Sequence, residues 1–125
     1  MGDEKLDYEH HNLGNDYYKL GDYKKAISHY TRAIEINPSM AESYFNRGLA
    51  YSRLRDFENA MSDHSKVIEL NPGQVEAYYT RGLMNEYLGN YDESMADYGL
   101  ALKYDPNHHE SKIQLEIVKR KKKYT

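Results

Sequence analysis

Apolar residues recur along this chain at the three- and four-residue spacing of amphipathic helices, in short runs that polar turns separate. Near the start, Leu13, Tyr17 and Leu20 mark one helix, and Gly21-Asp22 then breaks the pattern. After the break, a second set lies at helical spacing: Ala26, Ile27, Tyr30, Ala33 and Ile34. Asn37-Pro38 ends this second run. The periodicity predicts two helices joined by a tight turn.

The whole pattern returns at an interval of 34 residues. Four columns keep that interval: Gly14, Gly48 and Gly82; Tyr23, Phe57 and Tyr91; Asn37, Asn71 and Asp105; and Pro38, Pro72 and Pro106. Several independent columns in one register are typical of a repeat protein. We therefore divide the chain into an N-terminal extension (1–6), three repeats (7–40, 41–74 and 75–108) and a capping helix with a basic tail (109–125).

Local signals predict how the helices begin and how they pack. Asp22, Asp56 and Asn90 are placed to cap the second helix of each repeat, and Ser39 to Glu42 and Asn107 to Glu110 have capping-box spacing. Glycine in mid-helix costs about 1 kcal/mol relative to alanine, so its return in every repeat indicates close helix packing. We expect its partners to be three small residues of the second helices: Ala26, Ala60 and Ser94.

Composition narrows the class of protein. The chain has 125 residues, of which 30% are charged and 39% hydrophobic, with 14 tyrosines and a mean hydropathy of −0.97. This composition predicts one folded domain with a tyrosine-rich interior and no membrane span, and the helical periodicity described above predicts that the domain is all-α. Cysteine is absent, which excludes disulfides, Cys-ligated zinc and thiol nucleophiles. The charged N-terminus lacks the apolar run of a secretory signal, so we expect a cytoplasmic location.

The ionisable residues give little sign of catalysis or metal binding. Two histidine pairs, His10-His11 and His108-His109, are adjacent in sequence and would point to different sides of a helix. No two histidines have the i, i+4 spacing of a helical metal site. His64 falls at a core aromatic position, where we expect a buried imidazole. The sequence therefore predicts no enzyme, no metal and no cofactor.

Charge is divided between an acidic body and a basic tail. Residues 1–108 carry a net charge of −7 and residues 109–125 a net charge of +4. The run from Lys119 to Lys123 has two interpretations: a nucleic-acid or nuclear-import patch, or a solvated helix end whose cations complement the helix dipole. Five cations beside an acidic body make a weak nucleic-acid footprint, so we favour the second. In the capping helix, we expect Ile113, Ile117 and Val118 to cover the last repeat while Lys112, Glu116 and Lys119 face water.

The repeat resembles the tetratricopeptide repeat family, whose pattern is W-x2-L-G-x2-Y, then A-x3-F, then P. The first repeat reads His10-x2-Leu13-Gly14-x2-Tyr17 and then Ala26-x3-Tyr30. The third departs most, with Asn85 in place of an aromatic residue and Ser94 in place of an alanine. Over residues 7–108, the resemblance implies a right-handed α-solenoid of three antiparallel helix pairs, closed by the capping helix.

The resemblance also implies a function: a non-catalytic scaffold or adaptor that binds a partner's peptide in a concave groove lined by the first helices. The first repeat would contribute Tyr8, His11, Asn12, Asn15, Tyr18 and Lys19. The second would contribute Glu42, Phe45, Asn46, Leu49, Ser52 and Arg53. The third would contribute Glu76, Tyr79, Thr80, Leu83, Glu86 and Tyr87. Asn12, Asn15 and Asn46 would pair with the peptide backbone, and Tyr18, Phe45, Tyr79 and Tyr87 would pack its side chains.

Some members of the family clamp the C-terminal carboxylate of heat-shock chaperones with two Asn, two Lys and one Arg. Only the Asn positions match here, at Asn15 and Asn46, while His11, Glu76 and Thr80 occupy the cationic positions. The sequence therefore argues against a chaperone tail. Glu42, Glu76 and Glu86 favour a neutral or basic peptide. The alternative functions are self-association as a structural module and weak nucleic-acid contact through the basic C-terminal tail.

Overall fold

The computed structural model describes residues 3–125, and within them it contains seven α-helices and no strand. The helices are α1 (Asp3–Lys19), α2 (Tyr23–Ile36), α3 (Ala41–Arg53), α4 (Phe57–Leu70), α5 (Val75–Tyr87), α6 (Tyr91–Tyr104) and α7 (His109–Lys123). Side chains are described from Leu6 onward. The first helix thus begins inside the predicted N-terminal extension, of which residues 1 and 2 lie outside the described part.

The chain forms two compact units. The first ends at Leu70 and contains α1 to α4, and the second begins at Asn71 and contains α5 to α7. Within each unit, every helix packs against the next one along the chain. Short turns force this arrangement, because they leave neighbouring helices no room to separate. The predicted all-α fold of consecutive helix pairs is confirmed.

The core combines small residues with a few large rings. Ala26, Ala60 and Ala101 are fully buried, and so are the rings of Tyr30 and Tyr98. His64 is also buried, as the repeat predicted, with its ring edge-to-face against Phe45. Small residues allow the helix backbones to approach, and the rings fill the space between them.

The mid-helix glycines pack most closely against those rings, whereas we expected the small residues Ala26, Ala60 and Ser94 as their partners. A Cβ built on Gly14 would lie 2.5 Å from Cε1 of Tyr30, and one on Gly48 would lie 2.8 Å from Nε2 of His64. In the second unit, Gly82 meets Tyr98 in the same way, at 2.7 Å. Of the three expected partners, Ser94 does contact its glycine, because its hydroxyl donates to the Gly82 carbonyl at 2.8 Å.

The turns and caps follow the sequence only in part. Asp22 accepts a hydrogen bond from the Lys25 amide, as predicted, and Asp56 accepts one from the Asn59 amide. Asn90 stands at the N-cap of α6, but its side chain donates to Asn85 instead. The two predicted capping boxes are wrong. The N-cap residues of α3 and α7 are Met40 and His108, and the His108 side chain accepts from the Ser111 amide.

The register of α7 also differs from the prediction. Val118 and Ser111 are fully buried, whereas Ile113 and Ile117 are 57% and 38% exposed. The expectation that these isoleucines cover the last repeat is therefore wrong. The observed face turns Gln114 and Lys121 towards α5, where both donate to a buried carboxylate described below.

Candidate peptide-binding site

Two amides of the first unit form a short hydrogen-bond relay with a buried tyrosine. Asn46 Nδ2 on α3 donates to Oδ1 of Asn15 on α1 at 3.0 Å, and the Tyr30 hydroxyl on α2 donates to the same oxygen at 2.5 Å. Burial, with Tyr18 nearby, raises the pKa of Tyr30 to about 12, so its hydroxyl stays protonated as the donor. The relay fixes both amides and leaves Nδ2 of Asn15 and Oδ1 of Asn46 outside it.

These side chains line a pocket of about 220 Å³, which we name the amide pocket: Asn15, Tyr18, Lys19, Tyr30, Asn46 and Leu49. Two cations stand at or near it, since Lys19 is exposed on its lining and Arg53 Nε donates to the Tyr18 hydroxyl at 3.3 Å. The pocket thus combines amide donors and acceptors, apolar surface and positive charge. That set of groups suits an extended peptide segment.

The amide pocket brings together five of the residues singled out in the sequence: Asn15, Tyr18, Lys19, Asn46 and Leu49. Sequence reasoning missed Tyr30 as a lining residue. The repeat pattern could have indicated it, because Tyr30 stands at the aromatic position of the repeat and packs against Gly14 of the first helix. Asn12 lies one turn before Asn15 and is exposed, outside the pocket lining.

His11 does not supply the positive charge of the cationic residue whose place it takes. Its Nδ1 lies 2.7 Å from the Ser43 hydroxyl, and its ring lies 5.7 Å from that of Tyr30. Burial lowers the pKa of His11, against the opposing effect of the Glu42 carboxylate. The imidazole is therefore neutral at pH 7 and acts as a polar packing residue.

The remaining candidates of the first unit are spread along α1 and α3. Tyr8 is exposed near the start of α1, and Ser52 is half-buried near the end of α3. Phe45 is half-buried against His64 rather than presented to solvent.

In the second unit, the α5 candidates divide by environment. Leu83 and Tyr87 are exposed. Thr80 turns its hydroxyl back to the Glu76 carbonyl at 2.6 Å, and Glu76 places its own carboxylate 2.9 Å from Nε2 of His108. The Tyr79 ring stands edge-on to the His108 ring, with centroids 5.2 Å apart.

Glu86 lies beneath α7 instead of facing a ligand. Lys121 Nζ donates to it at 2.6 Å, the Tyr98 hydroxyl at 2.7 Å and Gln114 Nε2 at 3.2 Å. Burial pushes the pKa of Glu86 upward, but these three donors together hold it below the ordinary value. Glu86 and Glu76 both have partners within the unit, so Glu42 alone of the three remains as an argument for a neutral or basic peptide.

The basic tail is helical to Lys123 and engages the second unit. Lys121 pairs with Glu86, and Lys122 pairs with Asp92. Lys119 pairs with Glu116 within α7. These contacts tie part of the tail's charge to the protein itself. Among the described helices, none is long and apolar enough to cross a membrane.

The chain matches family models of the tetratricopeptide repeat in three places: residues 14–54 (TPR repeat) and residues 41–74 and 75–108 (tetratricopeptide repeat). Among solved structures, it is 31% identical to the first TPR of Spaghetti (RPAP3) bound to the HSP90 peptide SRMEEVD, with a TM-score of 0.88 over 93% of this chain and 92% of that one. The Arabidopsis OM64 TPR domain is 30% identical, with a TM-score of 0.89 over 94% and 98% of the two chains.

Curated relatives match over shorter segments. Hsp70-Hsp90 organizing protein 1 of Arabidopsis thaliana is 47% identical over 45 residues, which are 36% of this chain and 8% of that protein. Human serine/threonine-protein phosphatase 5 is 58% identical over 33 residues, 26% of this chain and 7% of that protein. The matches thus span only a small part of the length of these relatives.

The comparisons correct one expectation about partners. The second TPR domain of human RPAP3, in complex with the HSP70 peptide SGPTIEEVD, is 27% identical to this chain, with a TM-score of 0.87 over 94% of this chain and 98% of that one. Domains so similar in structure bind peptides of HSP90 and HSP70, which conflicts with our argument against a chaperone carboxylate. That argument depended on Glu76, whose carboxylate has His108 as its partner. With its repeats matched in sequence and its fold matched in structure, the chain belongs to the tetratricopeptide repeat family.

Proposed function

We propose that this chain is a non-catalytic scaffold or adaptor that binds an extended segment of a partner protein in the amide pocket of its first unit. The observation that carries the proposal is the relay of Asn46, Asn15 and Tyr30 beside the exposed Lys19. It holds two amides in fixed positions, so a ligand meets groups that lose little side-chain entropy on binding.

Each lining residue has a role in this proposal. Nδ2 of Asn15 donates to a carbonyl or carboxylate oxygen of the peptide, and Oδ1 of Asn46 accepts from a peptide amide. Tyr18 and Leu49 contact an apolar side chain of the peptide. In the second unit, the exposed Leu83 and Tyr87 of α5 are further candidate contacts.

The charge around the amide pocket favours a peptide with an acidic C-terminal end. Lys19 lies on the lining, and Arg53 is held against Tyr18. The HSP90 and HSP70 peptides bound by the structural neighbours end in EEVD. A neutral or basic segment is the second candidate, which the exposed carboxylate of Glu42 favours.

Fluorescence anisotropy with three labelled peptides tests the proposal: SRMEEVD, its C-terminal amide, and a version with both Glu replaced by Lys. We expect Asn15→Ala to weaken binding of the preferred peptide at least about tenfold, since a hydrogen bond to a charged group contributes about 1.5–3 kcal/mol. Lys19→Ala should weaken the acidic peptides, whereas Lys24→Ala, an exposed lysine on α2, is the matched control. Circular dichroism verifies that each variant is folded.

The outcomes separate the candidates. Weaker binding of the amide than of the free acid would support recognition of the terminal carboxylate, and preference for the Lys version would favour the basic segment instead. Asn12→Ala tests whether Asn12, which lies outside the pocket lining, also contributes to the affinity for the peptide. Unchanged binding of the preferred peptide to both Asn15→Ala and Asn46→Ala would overturn the site.

Self-association is the second candidate function, and one observation favours it. Ile113 and Ile117 form an exposed apolar stripe on α7, flanked by Lys112, Glu116 and Arg120. A stripe of this kind can pair with another copy. Light scattering over a concentration series tests this candidate, and a monomer at every concentration would contradict it.

A further inference from the structure

Three ligand atoms of metal-binding type converge in the second unit, apart from the amide pocket. Nε2 of His108 lies 2.9 Å from Oε1 of Glu76 and 3.4 Å from Oε2 of Glu110. All three ligand atoms fall within 4.8 Å of one another. Glu76 belongs to the first turn of α5, while His108 and Glu110 stand at the start of α7. We name this group the His108 cluster.

These distances fit a transition-metal ion. Zinc binds imidazole nitrogen and carboxylate oxygen at about 2.0–2.2 Å, which sets tetrahedral ligand atoms about 3.3 Å apart. The two distances from Nε2 lie close to that value. Small movements of the two exposed carboxylates would bring all three atoms to the same ion, and solvent would supply the fourth position.

The imidazole is held in place for this task. His108 is only 8% exposed, and its Nδ1 lies 2.7 Å from the Ser111 hydroxyl, which is fully buried. Binding of a metal at Nε2 would place the ring proton on Nδ1, where Ser111 Oγ can accept it, in place of the contact that Nδ1 receives from the Ser111 amide at the N-cap of α7. A hydrogen bond from the second ring nitrogen is the usual device that orients a metal-binding histidine.

We propose that Glu76, His108 and Glu110 form a binding site for a zinc-like divalent transition ion. The single imidazole selects such ions over Ca²⁺ and Mg²⁺, which prefer oxygen ligands throughout. The helix N-termini beside the cluster carry partial positive charge, so both carboxylates are required to make the site attractive to a cation. Sequence spacing could not find this site, because Glu76 and His108 are brought together only by the packing of α5 and α7.

Isothermal titration of the EDTA-treated full chain with ZnCl₂ tests the proposal. The diagnostic variant is Glu76→Gln/Glu110→Gln, which keeps the size of both side chains and a hydrogen-bond acceptor for His108. Both side chains are more than half exposed, so the variant should fold, as circular dichroism can verify. The matched control is His109→Gln, which removes the exposed imidazole next to the cluster.

We expect the wild type and the His109→Gln control each to bind one equivalent of zinc. The double variant should bind zinc at least about tenfold more weakly. In long-range ¹H–¹⁵N spectra, zinc should shift the His108 imidazole and leave that of His109 unchanged. Equal zinc binding by the wild type and the double variant would overturn the proposal. So would a wild type that binds no zinc, which would leave the cluster as hydrogen bonds between His108 and two carboxylates.

Discussion

Gly82 lies so close to the ring of Tyr98 that a Cβ at this glycine would come within 2.7 Å of Cε1. The ring has nowhere to move, because it is fully buried and its hydroxyl donates to Glu86 at 2.7 Å. Glycine is therefore required at this position by the neighbouring helix and not by its own backbone.

Substitution of Gly82 by alanine should destabilise the protein by about 1–3 kcal/mol, the usual cost of overpacking. Gly99 is the matched control, since it is also helical but exposed, and a methyl group added there would meet no neighbour within 4 Å. Gly99→Ala should stabilise the protein by up to about 1 kcal/mol through helix propensity. Urea unfolding measures both changes. If the free energy of unfolding changed in the same direction in both variants, the steric argument would be contradicted.

The ion pair between Arg47 and Asp63 should be costly to break. Two guanidinium nitrogens donate to the carboxylate at 2.8 and 2.7 Å, and Asp63 is buried. Asp63→Ala leaves Arg47 uncompensated and should cost about 3–5 kcal/mol. Chemical denaturation measures the loss.

An exposed ion pair provides the control for this prediction. Arg32 and Glu35 lie 3.8 Å apart on the surface of α2. Glu35→Ala should cost less than about 1 kcal/mol. Adding Arg47→Met to Asp63→Ala should recover part of the loss, and a loss that is unchanged in the double variant would argue against an uncompensated charge.

The observed register of α7 predicts which of its apolar residues stabilise the fold. Val118→Ala removes two methyl groups from a fully buried position and should cost about 1–2 kcal/mol. Ile113→Ala, on the exposed face, should change the free energy of unfolding by no more than about 0.5 kcal/mol. Thermal and urea unfolding test the contrast, and a reversed order would favour the register that the sequence first indicated.

His11 should make stability depend on pH near neutrality. Burial lowers its folded pKa below the ordinary 6.5, so the unfolded chain takes up a proton first as the pH falls. The free energy of unfolding should therefore decrease as the pH drops below about 6.5, and this contribution should be absent in His11→Gln. Urea unfolding between about pH 7.5 and 5.5 measures the two slopes. His109→Gln serves as the control with an exposed imidazole, and equal slopes for the wild type and His11→Gln would contradict the prediction.

Much of the fold could be read from local pattern. The return of Gly14 as Gly48 and Gly82 located the helix pairs, and Asp22 and Asp56 were correctly identified as caps. These features are encoded in residues a few positions apart, because helix hydrogen bonds and caps join near neighbours in sequence. The buried His64 followed for the same reason, from its place in the repeat.

The sequence by itself thus determined the repeat, the helices and the family, and it identified most residues of the amide pocket. The tertiary structure alone decided how each helix turns about its axis. In α7, Val118 is buried and Ile113 is exposed in a rotation that provides both Gln114 and Lys121 for Glu86, and a buried carboxylate without a cation would cost more than an exposed isoleucine. Contacts such as Tyr30 with Asn15 and His108 with Glu76 depend on these rotations, which no local pattern encodes.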